Sequence, residues 1–202
     1  QGYSNEEIAP MLRDCPRLRD VLRTKPGDKK KSQTVLNKYF KGGSLSMGGA
    51  NSGAFFRRVS RRVVLLDEVD AYPASAGDDG DPVELAIKRT EYYSNRKIVA
   101  VSTPLIENAS RITELFLDGD QRRYHVPCTQ CGYMDFLAFS MRKNKGGHKM
   151  TWPTGKPEEA HFVCSQNGCV MEHHDKFKML ERGDWIAEMP FEGHASFHIW
   201  AA

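Results

Sequence analysis

Three things are missing from this 202-residue chain, and each absence removes a class of function. No run of about 18 apolar residues occurs, so no membrane-spanning helix is expected. The first residues, Gln1-Gly2-Tyr3-Ser4-Asn5-Glu6-Glu7, have neither a basic start nor an apolar stretch, so no secretory leader is expected. The spacing G-x-x-x-x-G-K-[ST] occurs nowhere, so the loop in which P-loop enzymes cradle nucleotide phosphates is absent from these residues. Charge is nearly balanced at +3, which permits a nucleic-acid partner without requiring one.

Cysteine is scarce, and its count is odd: Cys15, Cys128, Cys131, Cys164 and Cys169. An odd number without a leader argues against a disulfide framework and for a reducing compartment, and four of the five fall into two tight pairs. Cys128-Thr129-Gln130-Cys131-Gly132 has the C-x2-C-Gly spacing of a zinc knuckle, in which backbone amides turn toward the sulfurs. The second pair, Cys164 and Cys169, is spaced more loosely, and 32 residues separate it from the first. Four thiolates would close the coordination sphere, which suits a structural zinc and not a catalytic one. A redox C-x-x-C is the rival, but it leaves the second pair without a role. His161, His173 or His174 could stand in for one cysteine ligand, and Cys15 reads as a buried or idle thiol.

What the chain does have is a run of apolar residues that ends in acid. Arg61-Arg62-Val63-Val64-Leu65-Leu66 leads into Asp67-Glu68-Val69-Asp70. Such a run reads as a strand buried on both faces, delivering carboxylates to the carboxyl edge of a parallel sheet, where open α/β sheets bind ligands. In nucleoside triphosphatases the first acid of such a pair holds magnesium and the next polarises the attacking water. The plain alternative is a buried strand followed by an acidic turn.

The flanking residues predict the rest of a βαβ unit. Asp81-Pro82-Val83-Glu84 is a helix start, with Asp81 as cap and Pro82 in the first turn, and Val83, Ile87, Thr90 and then Tyr93 or Ser94 give an apolar stripe to about Asn95. Ile98-Val99-Ala100-Val101 is a second apolar strand ending in Ser102-Thr103-Pro104, so both strand ends are expected on one sheet edge. Upstream, Asn5 to Val21 reads as short helical turns, Thr24 to Ser32 as a basic loop, and Val35 to Met47 as a hairpin before the glycine-rich stretch 48–53. Downstream, Ile106 to Gly119 reads as a helix, 140–158 as a surface loop, and Gly183 to Glu188 and Ala195 to Trp200 as short strands.

Six stretches in this order resemble the large terminase subunit of tailed phages, GpA type: Gly49-Ala50-Asn51-Ser52, Val63 to Pro73, Gly80 to Glu84, Val101-Ser102-Thr103-Pro104, Pro127 to Gly132, and Phe197-His198-Ile199-Trp200. The resemblance covers nearly the whole chain. It implies a fragment of an α/β P-loop NTPase (RecA/ASCE-like) parallel sheet with an inserted zinc-ribbon-like four-cysteine subdomain. It divides the chain into ATPase core (1–123), insertion (124–175) and return to the core (176–202). By the same resemblance Asp67 is the Walker B magnesium ligand, Glu68 the catalytic carboxylate, and Ser102-Thr103-Pro104 the coupling motif that senses the γ-phosphate. The implied cofactors are ATP, Mg2+ and structural Zn2+. The implied partners are double-stranded DNA, the small terminase subunit, the portal and procapsid, and further copies of the chain, in the host cytoplasm and away from membranes. The family's Walker A loop is expected before residue 1 and its nuclease domain after residue 202, so the isolated chain is expected to be inactive. Arg57, Arg58, Arg61, Arg62, Arg89 and Arg111 are candidates for DNA phosphates or for a finger acting in trans, with Arg58 and Arg61 foremost.

Two other readings fit parts of the pattern. A superfamily-2 helicase piece also uses an acid pair and an S-T-P after the next strand. A zinc-ribbon nucleic-acid-binding module without catalysis would give Glu68 no role.

Overall fold

The computed structural model of the chain describes residues 2–18, 34–40, 42–57, 59–106, 109–139 and 146–199. They form two compact units, Gln1–Val101 and Ser102–Ala202. The basic loop expected at Thr24 to Ser32 lies outside the described residues.

In the first unit a helical stretch, Ser4–Ile8, runs directly into α1 (Ala9–Asp14). The expected hairpin is β1 (Asn37–Phe40) against β2 (Gly43–Ser46), antiparallel. Gly42 sits at its turn with φ +87°, a conformation that costs glycine little. A single-turn helix, α2 (Gly53–Phe56), follows the glycine-rich stretch. Then come β3 (Val63–Asp67), α3 (Pro82–Lys88) and β4 (Lys97–Val101). Strands β3 and β4 pair in parallel from Val63↔Lys97 to Asp67↔Val101, so their carboxyl ends share one edge as expected.

The start of α3 follows the sequence signal, because the Asp81 carboxylate accepts the N–H groups of Val83 (2.7 Å) and Glu84 (3.1 Å). Its end does not. The helix stops at Lys88, seven residues short of Asn95. Thr90 is fully buried and donates its hydroxyl to the Ile87 carbonyl at 2.7 Å, while the Thr90 and Arg89 amides bond three residues back. Three-residue closure tightens the last turn and ends the helix.

The expectation that β3 is buried on both faces is also corrected. Leu66 is buried and Val64 half-buried, whereas Val63 and Leu65 are exposed, as are Val99 and Val101 on β4. A strand pair has two faces, and an apolar composition does not say which of them the chain covers.

The second unit opens with α4 (Arg111–Leu117), capped by the Ser110 hydroxyl, which accepts the Thr113 N–H at 3.1 Å. The helix predicted over Ile106 to Gly119 is thus shorter at both ends. A seven-stranded mixed sheet follows: β5 (Arg122–Pro127), β6 (Met134–Phe139), β7 (His148–Thr151), β8 (His161–Val163), β9 (Val170–Met171), β10 (Asp184–Ile186) and β11 (Phe197–His198). The order is β10-β5-β6-β7-β8-β9, with β11 parallel to β5. Helix α5 (Asp175–Glu181) packs Met179 into a core with Val126, Phe162 and Met171. Full burial of each such side chain contributes about 1.5–3 kcal/mol.

Strand β7 interrupts the expected surface loop at 140–158, of which 152–158 do lie outside the sheet and are largely exposed. Residues 140–145 lie outside the described residues, but His148–Thr151 pairs with β6 on one side and β8 on the other. His148-Lys149-Met150-Thr151 carries a single aliphatic side chain beside a Lys- and Gly-rich stretch, so backbone pairing reveals the strand.

Candidate functional site

The acid pair sits where β3 stops. Asp67 is the last residue of β3, opposite Val101, and Glu68 follows it with φ 55° and ψ 49°. Both are exposed. A left-handed backbone is unusual for a glutamate and stores strain of the kind found at functional sites. It interrupts the strand directly after Asp67, and a short 3-10 turn, Val69–Ala71, with Val69 fully buried, anchors what comes next. Tyr72 returns to the strand end: burial first, and then the Asp67 charge, hold its phenol above the usual tyrosine value, against the pull of the Asp67 backbone. The chain leaves β4 through Ser102, half-buried, and through Thr103 and Pro104, both exposed.

Gly53, which closes the glycine-rich stretch, serves packing. Gly53 is buried, and a Cβ there would overlap the Asp79 carboxylate and stand 2.9 Å from the Ala76 carbonyl. Arg57 grips the same carboxylate through Nε (3.1 Å) and Nη2 (2.5 Å). The space beside Gly53 is therefore filled by a carboxylate of the chain itself. Of the foremost arginines, Arg58 lies outside the described residues, and Arg61 donates from Nη2 to the Ser46 hydroxyl at 2.9 Å and from its backbone to the Arg89 carbonyl at 2.8 Å. Arg62 is exposed, and the buried Arg89 Nε has no partner among the described residues.

Cys128, Cys131, Cys164 and Cys169 converge as the spacing suggested, with their sulfurs all within 4.8 Å of one another. Two strand turns deliver them. Strand β5 ends at Pro127, just before Cys128, and β8 ends at Val163, just before Cys164. The turns share a backbone scheme. Gly132 N–H donates to the Cys128 carbonyl (2.9 Å) and Gly168 N–H to the Cys164 carbonyl (3.0 Å), with φ +75° and +66°. Cys128 N–H donates to the Tyr133 carbonyl (2.8 Å) and Cys164 N–H to the Cys169 carbonyl (2.9 Å). Superposing the two schemes puts Asn167 where the first turn has Cys131, and Cys169 where it has Tyr133.

These sulfurs differ electrostatically. The exposed Cys131 thiol is drawn down to about 6, chiefly by the Tyr133 backbone amide and, against some burial, by the Asn167 side chain and the neighbouring cysteines. Burial first, then its neighbours, pushes Cys169 up to about 11 and raises Cys164 as well. Clustered thiols of unequal acidity suit capture of a soft or borderline cation, which binds thiolates and releases their protons. His161, His173 and His174, weighed as substitute ligands, are not part of this cluster. Asn167 and the buried His148 escaped sequence reasoning; the offset of Gly168 from Cys164, the same as that of Gly132 from Cys128, was the available signal for Asn167.

A parallel β3–β4 edge bearing adjacent carboxylates and four clustered thiols on paired turns belong to a mixed α/β protein whose thiols could hold a metal. The chain belongs to the family described as phage terminase large subunit gpA, ATPase domain, whose profile matches residues 1–185. It is 27% identical over 226 residues to the terminase large subunit of Enterobacteria phage P21, and 24% identical over 221 residues to that of Escherichia phage lambda. Each alignment covers 100% of this chain and 34% of the relative, so the chain spans about a third of the curated relatives' length. No solved structure matches it.

Proposed function

We propose that this chain is the ATPase part of a viral DNA-packaging motor, coupling ATP hydrolysis to movement of double-stranded DNA into a procapsid. The observation that carries the reading is the position of Asp67 and Glu68 at the carboxyl end of a strand paired in parallel with β4, in a chain of this ATPase family. Asp67 would hold the magnesium that accompanies the nucleotide and neutralises phosphate charge. Glu68 would orient the attacking water and take up its proton. Ser102-Thr103-Pro104, next along the chain from β4, would sense the γ-phosphate and pass its loss to the DNA-moving parts.

The same reading makes the sheet of the first unit part of a P-loop, RecA/ASCE-like fold. Residues 124–175 are then a zinc-ribbon-like insertion between core segments 1–123 and 176–202. Cys128, Cys131, Cys164 and Cys169 would hold one structural zinc, which when bound supplies cross-linking between the two turns and no chemistry on substrate. Arg58 or Arg61 would face DNA or a neighbouring copy's nucleotide. The partners are the small terminase subunit, the portal and procapsid, and other copies of the chain, in the host cytoplasm.

In the full-length protein, Glu68→Gln is expected to keep ATP binding and lose hydrolysis by orders of magnitude, because the water loses its base while the magnesium ligand stays. Hydrolysis by this variant at the wild-type rate would move the catalytic role to another carboxylate.

A further inference from the structure

The two cysteine turns have no direct strand pairing with each other. One joins β5 to β6, the other joins β8 to β9, and β7 lies between. Gln130 Nε2 reaches across to the Val170 carbonyl, and behind the sulfurs a second set of polar groups, around the first residue of β7, spans the gap. Ser165 N–H donates to His148 Nδ1 at 3.3 Å. A backbone amide can only donate, so Nδ1 is the bare nitrogen and the ring proton is on Nε2. Nε2 lies 3.2 Å from the Val126 carbonyl and donates to it. One fully buried ring thus links the residue two before Cys128 to the residue after Cys164.

A second link runs alongside. The Ser165 hydroxyl donates to Asp135 Oδ2 at 2.5 Å, and that carboxylate also accepts the Gly147 amide (3.1 Å) and the Phe136 amide (2.9 Å). Asp135 is on β6, just beyond the first turn, and Gly147 immediately precedes His148. Ser165 is therefore held at its backbone by β7 and at its side chain by β6.

We infer that His148, Ser165 and Asp135 form a brace that sets the distance between the two cysteine pairs, and that His148 is a positioning residue for the metal and not a ligand to it. Both of its ring nitrogens are already engaged, on backbone groups of the two segments that carry the cysteines. The inference rests on reading the four thiols as a metal site. Groups that orient ligands in this way typically change metal affinity 10–100-fold when removed.

The test uses the purified chain carrying zinc, with release into a chromogenic chelator as the rate measured and the cobalt(II)-substituted absorption spectrum as the record of ligand identity. His148→Leu fills the same space but removes the ring's bonds to the Val126 carbonyl and the Ser165 amide, and zinc release is expected to accelerate about 10–100-fold. His148→Gln offers one acceptor and one donor from a single amide and is expected to restore most of the lost retention, a rescue that simple core packing does not predict. Ser165→Ala, at an exposed position that leaves the core filled, is expected to fall between wild type and His148→Leu. The four-thiolate cobalt spectrum should be common to all. Wild-type release rates in both His148→Leu and Ser165→Ala overturn the brace, and if His148→Leu does not fold, Ser165→Ala decides alone. A wild-type chain that holds no zinc, or whose cobalt spectrum is not that of four thiolates, overturns the metal reading itself, a result distinct from slow release that no variant changes.

Discussion

The Asp120 carboxylate accepts the Ser196 N–H at 3.0 Å across a separation of 76 positions, and both residues are buried. The same carboxylate takes Arg122 Nε at 2.8 Å, and the Asp120 carbonyl receives the Glu188 and Met189 amides at 3.2 Å. Burial alone would raise this carboxyl, but the Ser196 amide and the Arg122 guanidinium outweigh it, so Asp120 ionises below the usual carboxylate range. A carboxyl lowered on folding contributes stability above its unfolded value, about 4, and loses it as pH falls through the folded value. Asp120→Asn should therefore unfold at lower urea than wild type at pH 7, with the gap closing below about pH 4. Fluorescence of Trp185, whose ring packs on Phe197 at 5.0 Å, is a local readout. A gap that stays constant across pH would show that shape and not charge sets the effect.

Gly53→Ala should destabilise the first unit. The added methyl collides with Asp79 and with the backbone at Ala76, so the Asp79 loop must move and Arg57 must lose its grip. Overpacking of this kind costs about 1–3 kcal/mol. Urea denaturation of the two proteins measures it directly, and an unchanged midpoint would mean that the loop yields without cost.

Glu68→Gly separates stability from activity. Relieving a left-handed backbone at a non-glycine residue is expected to stabilise the chain by about 1 kcal/mol, while hydrolysis by the full-length protein disappears with the carboxylate. Thermal unfolding and phosphate release, run on the same preparation, should move in opposite directions.

In the metal-free chain Cys131 should be alkylated before the other three clustered cysteines. Its thiol titrates at about 6 and is exposed, whereas Cys169 is held at about 11. Iodoacetamide labelling followed by peptide mass spectrometry should give a Cys131 rate that rises through about pH 6 and is level by pH 8. Zinc should suppress the labelling, and Cys128→Ser with Cys131→Ser should abolish metal binding.

Local chemistry carried the sequence reading furthest. Asp81 and Pro82 announce the start of α3 because a cap acts on amides two and three residues away, and Cys128 to Gly132 announces its turn because the whole motif is five residues long. Asp67 at the edge beside β4 was legible for the same reason, since a strand, a helix and a strand in sequence permit few arrangements. What escaped depends on partners distant in the chain. Nothing near Gly53 names Asp79, nothing near Asp120 names Ser196, and His148 looks like any histidine in a lysine-rich stretch until Val126 and Ser165 are set on either side of it. The end of α3 is not legible in the sequence because Tyr93 continues an apolar periodicity that the buried Thr90 hydroxyl cuts short.

The placement of β7 between the two cysteine turns separates what is local from what is long-range in this sheet. Each turn closes on itself over a handful of residues, on the microsecond scale of a hairpin. Uniting them takes contacts across the 32 residues between Cys131 and Cys164, with His148–Thr151 paired to β6 on one side and to β8 on the other. Each turn alone offers two sulfurs, so a site of four depends on long-range pairing that neither turn supplies by itself.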